Sequence, residues 1–272
     1  MSLTAEQARS DADAAASDAG VTVRALTTDD VTVAAALLSS IWGTPAVEPP
    51  LMVALSHSGA YVAGAFDGDT MVGACVGYFS QPLGEALHSH VAGVAPGTGR
   101  RGIGMAMKLH QRAWSLERGL SRITWTFDPL VSRNAAFNLN RLGVDIASYL
   151  VDFYGSMTDG VNTGQGSDRL LASWRLDAAW PPARGATAPP ESATASAVLT
   201  TDGDGAPHPH LASPDALVLT IAVPPDIERL RRDDPALAAR WRGAVRGAMA
   251  PLLGRGHVIH GFHDHRYLLG RS

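Results

Sequence analysis

The stretch "GVAPGTGRRGIGMAM", Gly93 to Met107, carries five glycines and two adjacent arginines in fifteen residues. Glycine leaves backbone N–H groups uncovered and admits close approach to the chain. Arginine beside it offers a planar cation that forks onto phosphate. The flanks sharpen the reading. "ALHSHVAGV" before it is a strand pattern ending at Val94, and Pro96 opens a turn. Beyond it Ile103, Ala106, Leu109, Ala113, Leu116 and Leu120 form one apolar stripe at helical spacing. A strand, a glycine turn and a helix start aim free helix N–H groups, and the positive end of the helix dipole, at an anion.

Two nucleotide patterns compete for the same residues. Gly97 and Gly102 have the separation of a Walker loop, but Ile103 and Gly104 stand where Lys and Ser/Thr are needed. "GTGRRG" satisfies G-x-G-x-x-G. However, several strands precede it, and the acid that should follow at a strand end, Glu117, falls inside the helix. A nucleotide-dependent oxidoreductase is the weaker alternative.

Outward from this stretch the chain reads as an α/β (α+β) protein. "VTVRAL" (21–26) is a first strand; Thr28, Asp29 and Asp30 start a helix through Ile41, and a short helix follows near Pro50 to Ser56. "AYVAGAF", the turn "DGD", "MVGACVGYF" and "ALHSHVAGV" are three strands in a row. "RITWTF" is a strand, Ser132 or Asn134 caps a helix ending at Gly143, and "RLLASWRL" (169–176) is another strand. Residues 1–20, Ala, Asp and Ser without an apolar period, read as a loose tail or a frayed helix. Residues 177–213, rich in Pro, Gly, Ala and Ser, read as a linker or a long surface excursion. The expected units are a main domain at 21–176 and a β-α-β-β extension at 214–272 docking on it. Leu237, Trp241, Ala244, Val245, Ala248, Met249 and Leu252 are the stripe of the extension's helix.

Composition narrows function. Apolar residues make up 46%, charged residues 18%, and the net charge is −4, so no basic face for nucleic acid is expected from the totals. Lys108 is the only lysine, which reads mainly as codon bias. One cysteine, Cys75, allows no intrachain disulfide and suits a reducing cytosol. The N-terminus lacks the basic and apolar regions of a signal peptide, and no run of about 18 apolar residues could span a membrane. A soluble, cytoplasmic protein is expected, with room for a homodimer. The tail histidines His257, His260, His263 and His265 lack ligand spacing, and no metal is expected.

"V94-A-P96" followed by "R101-G102-I103-G104" resembles the acyl-CoA signature of the GNAT acyltransferase superfamily. The order of elements from Val21 to Leu176 is also similar: a mixed, mostly antiparallel twisted sheet flanked by helices. The resemblance covers about two thirds of the chain and extends, through "ITWTFDPLVSRNAAFNLNRLG…FYG…SDRL…W", to a bacterial subgroup with a C-terminal extension. It implies an N-acyltransferase using acetyl-CoA or another acyl-CoA, with a small amine or amino acid as acceptor. It implies that Gly99, Arg100, Arg101, Gly102, Ile103, Gly104 and Met105 hold the pyrophosphate. It implies too that backbone amides of Ala92, Gly93 and Val94 hold the pantetheine arm and thioester carbonyl, and that Asn134 contacts that arm. Gly99 stands where Gln or Arg is usual, with Arg100 one place later. Leu139 stands where a tyrosine commonly serves as general acid.

Acyl transfer to an amine needs a base, and a leaving thiolate gains from an acid. His88 and His90 share a sheet face, and His90 is the candidate base; both also suit ordinary polar residues at a strand start. Asp128, at the end of "ITWTF", is a further catalytic candidate that could hold the substrate ammonium or orient water; it also suits a turn former or cap. Tyr154 in "DFYG" is the candidate acid in place of Leu139, with Tyr149 a weaker one. Asn138 could line the cleft, and Arg169 could fork a substrate carboxylate or pair structurally with Asp168. Cys75 lies in an apolar strand and suits packing. With no activated nucleophile in view, direct attack in a ternary complex is expected. A non-catalytic acyl-CoA-binding module is the other alternative.

Overall fold

A computed structural model describes residues 4–98, 101–155, 166–182, 195–213 and 215–271. Among these, contacts divide the chain into two compact units. The first holds residues up to 125 with 175–180; the second holds 126–155, 166–174 and the chain from 181 onward.

In the first unit, alternating apolar runs become β1 (Thr22–Ala25), β2 (Tyr61–Asp67), β3 (Thr70–Ser80) and β4 (Ala86–Val94), neighbours in that order and antiparallel. Strand β5 (Arg122–Phe127) pairs with β4 in parallel and runs on into the second unit. Helices α2 (Thr28–Trp42) and α3 (Pro49–His57) cover one face, where Val31, Leu38 and Met52 pack with Val62, Ala74 and Val76. Helix α2 starts on a capping box of Thr27 and Asp30. Helix α4 (Ile103–Glu117) covers the other face, to which Gly73, Cys75 and Ser89 point.

Residues 5–19, expected to be a loose tail or a frayed helix, form a capped helix, α1 (Ala5–Ala19), which packs on α4. Thr4 caps its start and Gly20, at φ 63°, ends it. Ala8, Ala12 and Ala19 are the buried face. Alanine is too weakly apolar to show as a stripe in a pattern read for large side chains, yet it is the best helix former. Ion pairs Arg9–Glu117 and Asp11–Arg112 add to the docking.

The second unit begins with α5 (Ser132–Ala136), continued by a π-helical turn, Phe137–Leu142, and closed by Gly143 at φ 68°. Strands β6 (Asp145–Leu150) and β7 (Arg169–Arg175) are antiparallel. A second sheet runs β11-β12-β10-β8-β9 from β8 (Ala195–Thr201), β9 (Pro207–Pro209), β10 (Val218–Ala222), β11 (His257–His263) and β12 (Arg266–Arg271). Helices α6 (Ile227–Asp233) and α7 (Pro235–Gly254) lie between β10 and β11 in the chain. Helix α7 buries Ala238, Trp241, Val245 and Met249. The segment 177–213, expected to be a linker, therefore contributes β8 and β9 to this sheet.

The contacts change unit after residue 180, inside the segment expected to be a linker, and they place residues 126–155 and 166–174 in one unit with the C-terminal sheet. Tyr267 donates to the Pro129 carbonyl at 2.7 Å, Ser132 Oγ meets His265 Nδ1 at 2.7 Å, and Arg133 pairs with Glu228. Asn140 bonds both the carbonyl and the N–H of Phe262, as a neighbouring strand would.

Candidate functional site

In the first unit the strand and the helix that flank the glycine stretch form where the sequence places them. Strand β4 ends at Val94, a turn follows, and α4 opens at Gly102 with no side chain capping its first turn. Gly97 and Gly102 have φ of 84° and 87°, values that favour glycine. Gly104 needs no special angle, and a Cβ there would meet nothing within 4 Å. Its bareness leaves the helix start open rather than relieving a clash. Gly93 has the opposite reason: a Cβ would come within 2.5 Å of Ile41 and 3.0 Å of Trp42, so α2 packs directly on β4 there.

Arg101 is engaged elsewhere. Its guanidinium bonds the carbonyls of Ala19 and Gly20 and pairs with Asp67 at 2.6 Å, fastening the end of α1 to the loop. Its side chain is thus committed to α1, and toward a phosphate Arg101 has its backbone to offer. Gly99 and Arg100 lie outside the described residues.

Strand β4 leaves its partner early. The β4–β5 ladder runs Ala86↔Arg122, Leu87↔Ile123, His88↔Thr124, while β4 continues to Val94. On its other side β4 stays paired with β3, with one extra residue: Gly77 faces Ser89 and Val76 faces Val91, so His90 is a bulge. Past His88, the edge of β4 away from β3, including Ala92 and Val94, is open within this unit. Tyr78 lies 5.4 Å from the His88 ring and 5.7 Å from the His90 ring. His88 Nδ1 meets Thr124 Oγ1 at 3.1 Å, and desolvation holds it down to about 4. Desolvation also lowers His90, though its ring is exposed. Both are neutral at pH 7, but His88 is too weak a base to be effective; His90 is the better of the two.

In the second unit Asp128 is a structural ion. Arg242 forks it at 2.8 and 2.7 Å, Arg231 reaches Oδ2 at 2.5 Å, and the Leu130 N–H donates to Oδ1 at 2.9 Å. Those four bonds fill its acceptor sites and hold its carboxyl well below the usual carboxylate range despite burial. This corrects the expectation of a catalytic Asp128: it has no lone pair left for a substrate proton or ammonium. Asp168 is similar, forked by Arg246 at 2.9 and 2.6 Å and receiving the Tyr149 hydroxyl at 2.7 Å. Tyr149, pushed upward by burial and by that carboxylate, is no proton donor.

Tyr154 is placed differently. It is 41% exposed, its hydroxyl meets Thr126 Oγ1 at 3.0 Å, and its N–H bonds Ser167 Oγ. The buried Arg169 guanidinium lies 5.3 Å from its ring centre and donates to the Asp168 carbonyl. Asn134 is exposed at the start of α5. Asn138, in the π-helical turn, is 4% exposed, and its amide makes no hydrogen bond among the described residues. A π turn re-aims side chains by one extra residue and recurs at functional sites.

No family model matches the chain, and no curated protein matches it. Similar solved structures are acetyltransferases. The ribosomal-protein-S18-alanine N-acetyltransferase of Escherichia coli is 15% identical, covers 62% of this chain and 99% of its own, and has a TM-score of 0.48. A Salmonella typhimurium protein assigned as an acetyltransferase, solved with its cofactor acetyl-CoA, is 14% identical over 60% of this chain and 98% of its own, TM-score 0.48. A Desulfovibrio desulfuricans protein assigned to the GNAT family is 15% identical over 57% of this chain and 99% of its own, TM-score 0.45. About two fifths of this chain has no counterpart in them.

The arginines of α6 and α7 were not legible as partners of Asp128 and Asp168, since nothing local links residues more than 70 positions apart. The spacing of Arg242 and Arg246 on one helix face was the available signal. Among the described residues no cluster of His, Cys, Asp or Glu could hold a metal, and no helix is long and apolar enough to cross a membrane.

Proposed function

We propose that this chain is an acyl-CoA-dependent N-acyltransferase acting on a small amine or amino acid. The observation that carries this is in the first unit: an uncapped, glycine-lined helix start beside a strand that has parted from its neighbour. The first suits a pyrophosphate. The second suits a linear amide arm that adds to an open strand edge, with a thioester carbonyl taking a β4 N–H.

In this reading the acceptor nitrogen attacks the thioester carbonyl directly. His90 takes the proton released from nitrogen, the C–S bond breaks, and CoA leaves as a thiolate that takes its proton from solvent. A covalent intermediate has little support, since Cys75 is buried and burial raises its thiol.

The test is thermal stabilisation by acetyl-CoA and longer acyl-CoAs against NAD, then CoA release with a panel of amines. Stabilisation by a CoA ester with turnover supports the reading. Stabilisation without turnover on any amine makes the chain a binding module, and stabilisation by NAD alone overturns the reading. Replacing His90 with Gln should remove the acid limb of kcat/KM. In the wild type that limb should lie below about pH 6.5, the ordinary imidazole value, because desolvation lowers His90.

A further inference from the structure

Lys108 is the only lysine among 22 lysines and arginines, and it is buried, 8% exposed, in the middle of α4. Its ammonium meets Ser89 Oγ at 3.0 Å and Gln111 Oε1 at 3.2 Å, and lies 3.9 Å from the centre of the Trp125 ring. Gln111 is itself tied to Cys75 Sγ at 3.4 Å. Among the described residues Lys108 has no ion pair. A buried cation held only by neutral groups costs stability, and an apolar side chain of the same shape would cost less.

The position of those contacts gives the lysine a purpose. The last ladder pair between β4 and β5 is His88↔Thr124. Ser89 and Trp125 are the very next residues on the two strands. Both turn toward α4, and Lys108 bonds one and lies against the ring of the other. One step further along β4 comes the bulge at His90. An ammonium divides its three protons among separate acceptors, where a rigid guanidinium fork could not fit the same gap.

We propose that Lys108 is a positioning residue that pins β4 to β5 at the last residues they share, and so sets the open edge of β4 that receives the acyl-CoA arm. This rests on the proposed acyl-CoA-dependent function. Geometry carries it, and ionisation adds a handle on it. Burial brings Lys108 down to about 8. The other titratable group nearby is His88, which is neutral at pH 7. Cys75 stays a thiol because burial raises it. Lys108 is therefore the group here that changes charge between pH 7 and 9.

The experiment measures acetyl-CoA affinity from pH 6.5 to 9.5, together with melting temperature, for the wild type and Lys108→Met. The wild type should bind less tightly as pH rises through about 8, when the ammonium loses its charge over Trp125. Lys108→Met should bind weakly at every pH, by up to about 10²-fold for a cleft displaced by an ångström. Its melting temperature at pH 7 should be equal to or above that of the wild type. A residue that only supported the core would not produce tighter folding with weaker binding. Wild-type affinity and pH profile in Lys108→Met overturn the proposal, as does a loss of affinity that only tracks a fall in melting temperature. Should Lys108→Met not fold, Ser89→Ala cuts the link to β4 alone; it should weaken acetyl-CoA binding in the same direction, and unchanged affinity overturns the proposal. A wild type that binds no CoA ester defeats the acyl-CoA reading itself, an outcome visible before any variant is made.

Discussion

Asp128 and Lys108 bury opposite charges by opposite means. Asp128 is surrounded by two guanidinium groups and a backbone N–H. Lys108 has no opposite charge beside it among the described residues. Replacing Asp128 with Asn should therefore cost about 3–5 kcal/mol, because it leaves buried guanidinium groups without their counterion; chemical denaturation measures it. The depressed carboxyls of Asp128 and Asp168 also set an acid limit. Their stabilising contribution is complete above the ordinary carboxylate value of about 4 and is lost as pH falls below it toward their folded values. Acid titration of Asp128→Asn should show a shallower loss than the wild type. Of these residues, the sequence marked Asp128 by its place after a strand and before Pro129, but a carboxylate at a strand end looks the same whether it awaits a proton or an arginine. The need for glycine at Gly97 and Gly102 was legible, because dense glycine between a strand and a helix has few other uses. The commitment of Arg101 to α1 was not, since α1 itself was invisible to a search for large apolar side chains.

At the scale of elements, α4 carries the sharpest separation of fold from function. Gly102 sits at φ 87°, so a side chain there should cost roughly 1–2 kcal/mol in backbone strain. Gly104 has ordinary angles and open space around it, and alanine there should be neutral or stabilise the helix by up to about 1 kcal/mol. Gly104→Ala should keep or raise the melting temperature while weakening acetyl-CoA binding, because the methyl group covers the helix start; an unchanged affinity would remove Gly104 from the pyrophosphate site. Strands β2 to β5 and helices α2 and α4 were legible from period alone, since each is long enough to show one face to a core. The π-helical turn at Phe137–Leu142 was not. Its residues read as ordinary helix, and the extra residue per turn depends on packing that sequence period does not encode.

For the whole molecule, the surprise is where it divides. Low-complexity composition suggested a break at 177–213, and the chain does change unit after residue 180, yet β8 and β9 lie in that segment, and residues 126–155 and 166–174 share a unit with α7 and the C-terminal sheet. Composition reports what a segment could do without partners; it cannot report that Arg242 and Arg246 will find Asp128 and Asp168. A chain ending at residue 180 should keep the first unit, whose Arg112 still reaches the carbonyls of Leu176 and Ala178. Residues 126–174 should lose protection in amide hydrogen exchange, since their two buried carboxylates would have no cations. Protection over 126–174 in the shortened chain would show that this segment holds its structure without α7 and the C-terminal sheet.

The division between Trp125 and Thr126, inside β5, also orders events at the ribosome. Everything the first unit needs has been synthesised once residue 180 is in place. Asp128 must wait for Arg242, 114 residues later. At roughly 5–20 residues per second that is a delay on the order of ten seconds, long enough for helices and hairpins to form many times over. During that interval the nascent chain carries the first unit and, after it, a half-built second unit whose key carboxylates are still in water. A slow codon tract or a chaperone would have its greatest effect between those two moments, after the first unit closes and before α7 emerges.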